Sequence, residues 1–95
     1  MQTKINFKLP VTVFKEGKYF IAYSPVLDLA TQATDFDVLH KRFNEAVTIF
    51  FEELIDLGTI ATVLSNLGWK KIKNNWSAPI PISHEIREFH TSLVA

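Results

Sequence analysis

The chain contains no cysteine, so it can form neither a disulfide framework nor a thiolate metal site. Disulfides belong to oxidising compartments, and their absence fits a cytoplasmic protein. Nor is there a surplus of either charge: ten basic and ten acidic residues give a formal net charge of zero. Nonspecific nucleic-acid binding draws on a basic surplus to release counterions, and that driving force is missing here. No apolar run approaches the roughly 20 residues of a membrane-spanning helix. The opening stretch, MQTKINFKLP, lacks the apolar centre of a signal peptide, so a soluble protein is expected. With only three glycines there is no Gly-rich loop to cradle a phosphate. No serine sits in a nucleophile setting such as G-x-S-x-G. These absences favour a binding protein over an enzyme and imply no cofactor.

What the chain does have is apolar bulk. Apolar residues make up 47% of its 95 positions, too many for disorder, and eight Phe and two Trp supply the large side chains. The length fits one domain, residues 1–95, with a core over 4–58 and an extension over 59–95. A chain this short buries only about 60–65% of the surface it exposes when unfolded. Self-association, as a dimer or tetramer, is the usual remedy and is expected.

Ile5, Phe7, Leu9, Val11 and Val13 alternate with polar residues, which predicts a strand over 4–14 with one buried face. Pro10 places that strand at a sheet edge or at a bulge. Lys15, Glu16, Gly17 and Lys18 suit a hairpin loop into a second strand, Tyr19–Ser24. Residues 25–28 interrupt the pattern before a third strand over 29–34. From Phe36 the period changes to 3.6. Phe36, Leu39, Phe43, Ala46, Val47, Phe50, Leu54 and Leu57 form one stripe, predicting a helix over Phe36–Leu57. Asp35 is its expected N-cap and Gly58 its left-handed end. Thr59 is placed to cap a second helix over 60–67, stopped by Gly68. Two short strands are expected over 69–72 and 76–82, around an Asn-rich turn, followed by a final strand or extended arm over 86–94. The fold class is therefore α+β: an antiparallel sheet of three to four strands with one long helix on a face.

Within that order, Tyr19-Phe20-Ile21-Ala22-Tyr23-Ser24-Pro25 is followed by Leu27-Asp28-Leu29-Ala30-Thr31-Gln32. Glu45-Ala46, Phe50-Phe51-Glu52-Glu53, Gly58-Thr59 and Leu67-Gly68-Trp69 continue the series. Together these segments, over about residues 5–72, resemble the HicB-type antitoxin family. The resemblance implies a partial RNase H-like fold with a βββα core, usually oligomeric, that binds and neutralises a small basic ribonuclease toxin of the HicA type. Ala33 stands where the family often has Gly, and Asp35-Phe36-Asp37-Val38-Leu39 replaces its usual helix opening. The 37 residues after Gly58 hold one short helix, which is too little for a helix-turn-helix or ribbon-helix-helix, so no dedicated DNA-binding domain is expected. The chain resembles the short, solitary form of the family.

Three surfaces stand out. Glu45, Glu52, Glu53 and Asp56, on the polar side of the long helix, are candidates to steer a basic partner. Phe51 and Ile55 widen the apolar stripe sideways, beside His40; they are candidate oligomer contacts, or else the C-terminal segment flanks the helix there or they are scattered surface apolars. Val38 and Ile49 lie nearly opposite the stripe. Trp69, Lys70, Lys71, Lys73 and Trp76 interleave charge with aromatics; they read first as a strand with buried Trp and an exposed lysine edge, and offer as an alternative function weak binding of single-stranded RNA. A further alternative is a small oligomeric structural or regulatory protein with no toxin partner. Glu16, Asp28, Asp35 and Asp37 read as turn and cap residues rather than a nuclease set. His40 reads as a hydrogen-bonding residue at the core edge. His84 and His90 flank Glu88 without the i, i+4 spacing of a helical metal site.

Overall fold

Turn residues cut the first third of the chain into three short strands, β1 (Thr12–Glu16), β2 (Tyr19–Ser24) and β3 (Leu29–Ala33). They appear so in a computed structural model, which describes residues 7–92. The strands form one antiparallel sheet in the order β1-β2-β3. Gly17 and Lys18 turn the first hairpin between the paired Glu16 and Tyr19. Gly17 takes a φ of 60°, which costs glycine nothing. The second connection, residues 25–28, ends on Asp28 at a φ of 50°, where the Tyr23 hydroxyl donates to its carboxylate at 3.0 Å.

The strand expected over 4–14 is corrected. Residues 4–6 lie outside the described residues, and 7–11 carry no strand. Thr12 pairs with Tyr23, and β2 ends one residue later, before Pro25, so earlier residues have no partner strand. The alternation survives in another form, since Leu9, Val11 and Val13 still line one cleft.

The helix α1 (Phe36–Leu57) has the bounds that its capping residues predict. The Asp35 carboxylate accepts from the backbone N–H groups of Asp37 at 2.8 Å and Val38 at 3.1 Å. At the other end Gly58 adopts a φ of 67°, and its N–H donates to the Ile55 carbonyl oxygen at 3.1 Å. The second helix, α2 (Ile60–Asn66), is one residue shorter than expected. Thr59 does not cap it through its side chain; only its carbonyl oxygen takes part, accepting from Val63 N–H at 2.9 Å.

The two expected C-terminal strands are shorter as well, β4 (Lys70–Ile72) and β5 (Asn75–Ser77). Lys73 and Asn74 join them with φ values of 49° and 69°, the signature of a two-residue type I′ hairpin turn. Pro79 and Pro81 end the extension of β5. This hairpin is a separate two-stranded sheet, so among the described residues the main sheet has three strands, the lower end of the expected three to four. Residues 78–92 hold no regular structure; the strand considered for 86–94 does not form through 92, and 93–94 lie outside the described residues.

Packing follows from register. Phe20, Ala22 and Ser24 of β2 pair with Ala33, Thr31 and Leu29 of β3, which puts all six on the face beneath α1. Ala22 and Ala33 are small, which lets Leu39 and Phe43 of α1 settle onto the sheet. Ser24 is buried there, and its hydroxyl has no hydrogen-bond partner among the described residues. A second cluster joins Val26, Leu27, Phe51, Leu54, Leu64 and Trp69, with Phe7 packed against it. The core is thus not confined to residues 4–58, because Leu64 and Trp69 of the extension belong to it.

Candidate protein-binding surface

An α-helix turns 100° per residue, so Glu45, Ile49, Glu52 and Asp56 fall along one line of α1. All four are exposed. Asn44, Glu45, Thr48, Ile49 and Glu52 line a shallow depression on that face. Glu53 lies to the side of the line. Among the described residues the ion pairs are Arg87 with Glu85 and His90 with Glu88, so none of Glu45, Glu52, Glu53 and Asp56 holds a cation. The surface therefore presents negative charge around an exposed isoleucine, a centre that reading the carboxylates alone had missed. The clue lay in the sequence, where Val38 and Ile49 interrupt an otherwise polar face.

Phe51, expected at a flank open to a second subunit, is instead a core residue. It is 7% exposed, with its ring centroid 4.8 Å from Phe7 and 6.1 Å from Trp69. The N-terminal segment and the residue before β4 cover the side of α1 that a helical wheel leaves bare. Ile55 remains exposed.

The lysine and tryptophan set is likewise divided. Trp69 is 3% exposed, and its indole N–H donates to the Val26 carbonyl oxygen at 2.8 Å, so it offers no face for base stacking. Trp76 is half-buried, and Lys71, its cross-strand partner, places its ammonium 5.9 Å from the ring centroid. Lys70 and Lys73 are exposed.

His40 makes an edge-to-face contact with Phe36, ring centroids 4.5 Å apart, rather than the hydrogen bond expected of it. Asp35 is the helix cap, and Asp28 accepts the Tyr23 hydroxyl. That bond holds the Tyr23 hydroxyl above its ordinary pKa, and the negative charge of Asp28 acts in the same direction. Among the described residues no three His, Asp or Glu side chains converge as a metal set. No helix among them is long and apolar enough to cross a membrane. No family model, curated protein or solved structure matches this chain.

Proposed function

We propose that this chain is a non-enzymatic binding module that occludes a small basic protein, the antitoxin role that its resemblance to the HicB type implies. The observation that carries this reading is the α1 stripe: Glu45, Glu52 and Asp56 frame the exposed Ile49 and hold no cation among the described residues. Unpaired carboxylates steer a cationic partner to the surface, and an apolar centre gives the docked complex contact area that salt does not screen. Glu53 extends the field beside the stripe. An RNA-binding reading is weaker, because one of its two stacking residues is enclosed.

The deciding experiment is co-purification with a small basic protein encoded beside this chain, together with a growth assay for neutralisation. The expected result is a complex whose association slows with added salt and with Glu45→Lys plus Glu52→Lys. If the neighbour neither binds nor is neutralised, the antitoxin reading fails. A titration with single-stranded RNA at varied salt separates the alternative, since tight, salt-sensitive binding would favour the lysine strip.

A further inference from the structure

Beyond Ala78, which packs against the core, the large apolar side chains of the segment after β5 are uncovered among the described residues. Ile82 and Ile86 are fully exposed and Phe89 is 79% exposed. Their spacing of i, i+4 and i+7 puts all three on one face of a helix, the pattern by which an amphipathic helix anchors in a groove. Glu85 falls in the first turn of such a helix, where a carboxylate is favoured. Residues 78–92 nonetheless hold no regular structure. An isolated helix shorter than about 12–15 residues is marginal in water, so this one needs a surface on which to form.

A fitting surface is open elsewhere on the molecule. Between α1 and the segment leading into β1 runs a cleft of about 480 Å³. Leu9, Val11 and Val13 form one wall, and Phe43 and Val47 the other. His40, Asn44 and Thr48 of α1 also line it and supply polar groups.

The arm is poorly placed to fill its own cleft. Leu9, Val11 and Val13 line the cleft, whereas Pro10 and Thr12 line a separate pocket with Pro25, Val26, Pro79, Ile80, Pro81 and His84. The arm therefore leaves from the opposite side of the N-terminal segment. Pro79 and Pro81 fix their own backbones and hold Ala78 and Ile80 extended, so the chain runs stiffly from the core contact at Ala78 along the side of the N-terminal segment that faces away from the cleft. The radius of gyration is 16.5 Å, against about 12 Å for a compact domain of this length.

We propose that two copies of the chain exchange arms. Residues 82–92 of each fold as an amphipathic helix in the cleft of the other, with Ile82, Ile86 and Phe89 against its apolar walls. Exchange buries the exposed Ile82, Ile86 and Phe89 of each copy, which the single chain leaves in water. Reciprocal exchange closes the assembly at two copies and leaves no arm over. The dimer does not rest on the acidic stripe or on the antitoxin reading.

Sedimentation equilibrium over a range of concentrations, with far-UV circular dichroism alongside, tests the exchange. The expected result is a dimer whose formation raises helix content. Ile86→Asp with Phe89→Asp alters side chains that are exposed in the single chain, so the monomer fold is retained, and dimerisation weakens by about tenfold or more. Val11→Asp weakens it from the cleft side. Because the chain has no cysteine of its own, Asn44→Cys with Phe89→Cys reports where the arm lies, and oxidation should give a covalent dimer. A monomer at every concentration, a dimer indifferent to the arm substitutions, or a cross-link formed within one chain would each overturn the proposal.

Discussion

The indole nitrogen of Trp69 donates to the main-chain oxygen of Val26 at 2.8 Å, joining segments 43 residues apart. One end of this bond lies in the turn between β2 and β3, the other just before β4. Trp69→Phe keeps most of the apolar packing and orphans a buried carbonyl, at a cost of about 1–3 kcal/mol. Trp69→Ala also opens a cavity beside Phe7 and Phe51 and should cost about 3–5 kcal/mol. Urea unfolding measures both. A loss under about 0.5 kcal/mol for the alanine variant, the range of ordinary surface substitutions, would show that this end of the chain is not docked.

The two ends of α1 should contribute independently. Asp35→Ala removes the acceptor for two backbone N–H groups and should destabilise by about 1 kcal/mol. At Gly58 an added Cβ meets nothing within 4 Å, so Gly58→Ala costs only the left-handed backbone, about 1–2 kcal/mol. The sites stand about 33 Å apart along the helix. Their effects should add in the double variant, read from denaturation midpoints.

Tyr23 makes a pH-dependent contribution. Its pKa is raised in the folded chain by the bond to Asp28. A group with a raised folded pKa contributes fully below its unfolded value, near 10 for tyrosine, and loses that contribution as pH climbs through the folded value. Stability should therefore fall on the alkaline side of about pH 10. Tyr23→Phe should remove this component of the decline. An unchanged alkaline limb in Tyr23→Phe would show that the bond does not form in solution.

Ser24→Ala is expected to stabilise. The hydroxyl is buried without a partner among the described residues, so its desolvation is uncompensated there. Its removal should add about 1 kcal/mol. For a chain of this size, that corresponds to a rise in melting temperature of about 4–8 °C, visible by calorimetry. A fall would mean that the hydroxyl has an acceptor in solution.

Local chemistry explains which elements were legible beforehand. The bounds of α1 were readable because Asp35 and Gly58 mark its ends and the 3.6-residue stripe fills the interval. β2 was readable because Lys18 and Pro25 bracket it. β1 was displaced because the length of a strand depends on its partner, and beyond Tyr23 β2 has only Ser24 left to face residues before Thr12. Phe51 was placed on an open flank for a related reason, since a helical wheel does not show the distant segments that enclose it, whereas Trp69 is buried as its favoured reading, a strand with an exposed lysine edge, expects. The acidic residues of α1 were visible as a face, but the position of Ile49 among them emerged only with the helix geometry.

Leu29 and Val47 pack against both apolar clusters, the one beneath α1 on the sheet and the one around Phe51 and Trp69. Two side chains thus form a wall between two small interiors. The sheet-side interior is closed by neighbours in sequence, while the other depends on a hairpin brought back from far along the chain. Slow amides should concentrate in β2, β3 and the first half of α1, with the region from α2 through β5 exchanging through cheaper partial openings. Such openings would uncover Trp69 and Phe51 while the other interior stays shut, giving one short chain two levels of protection.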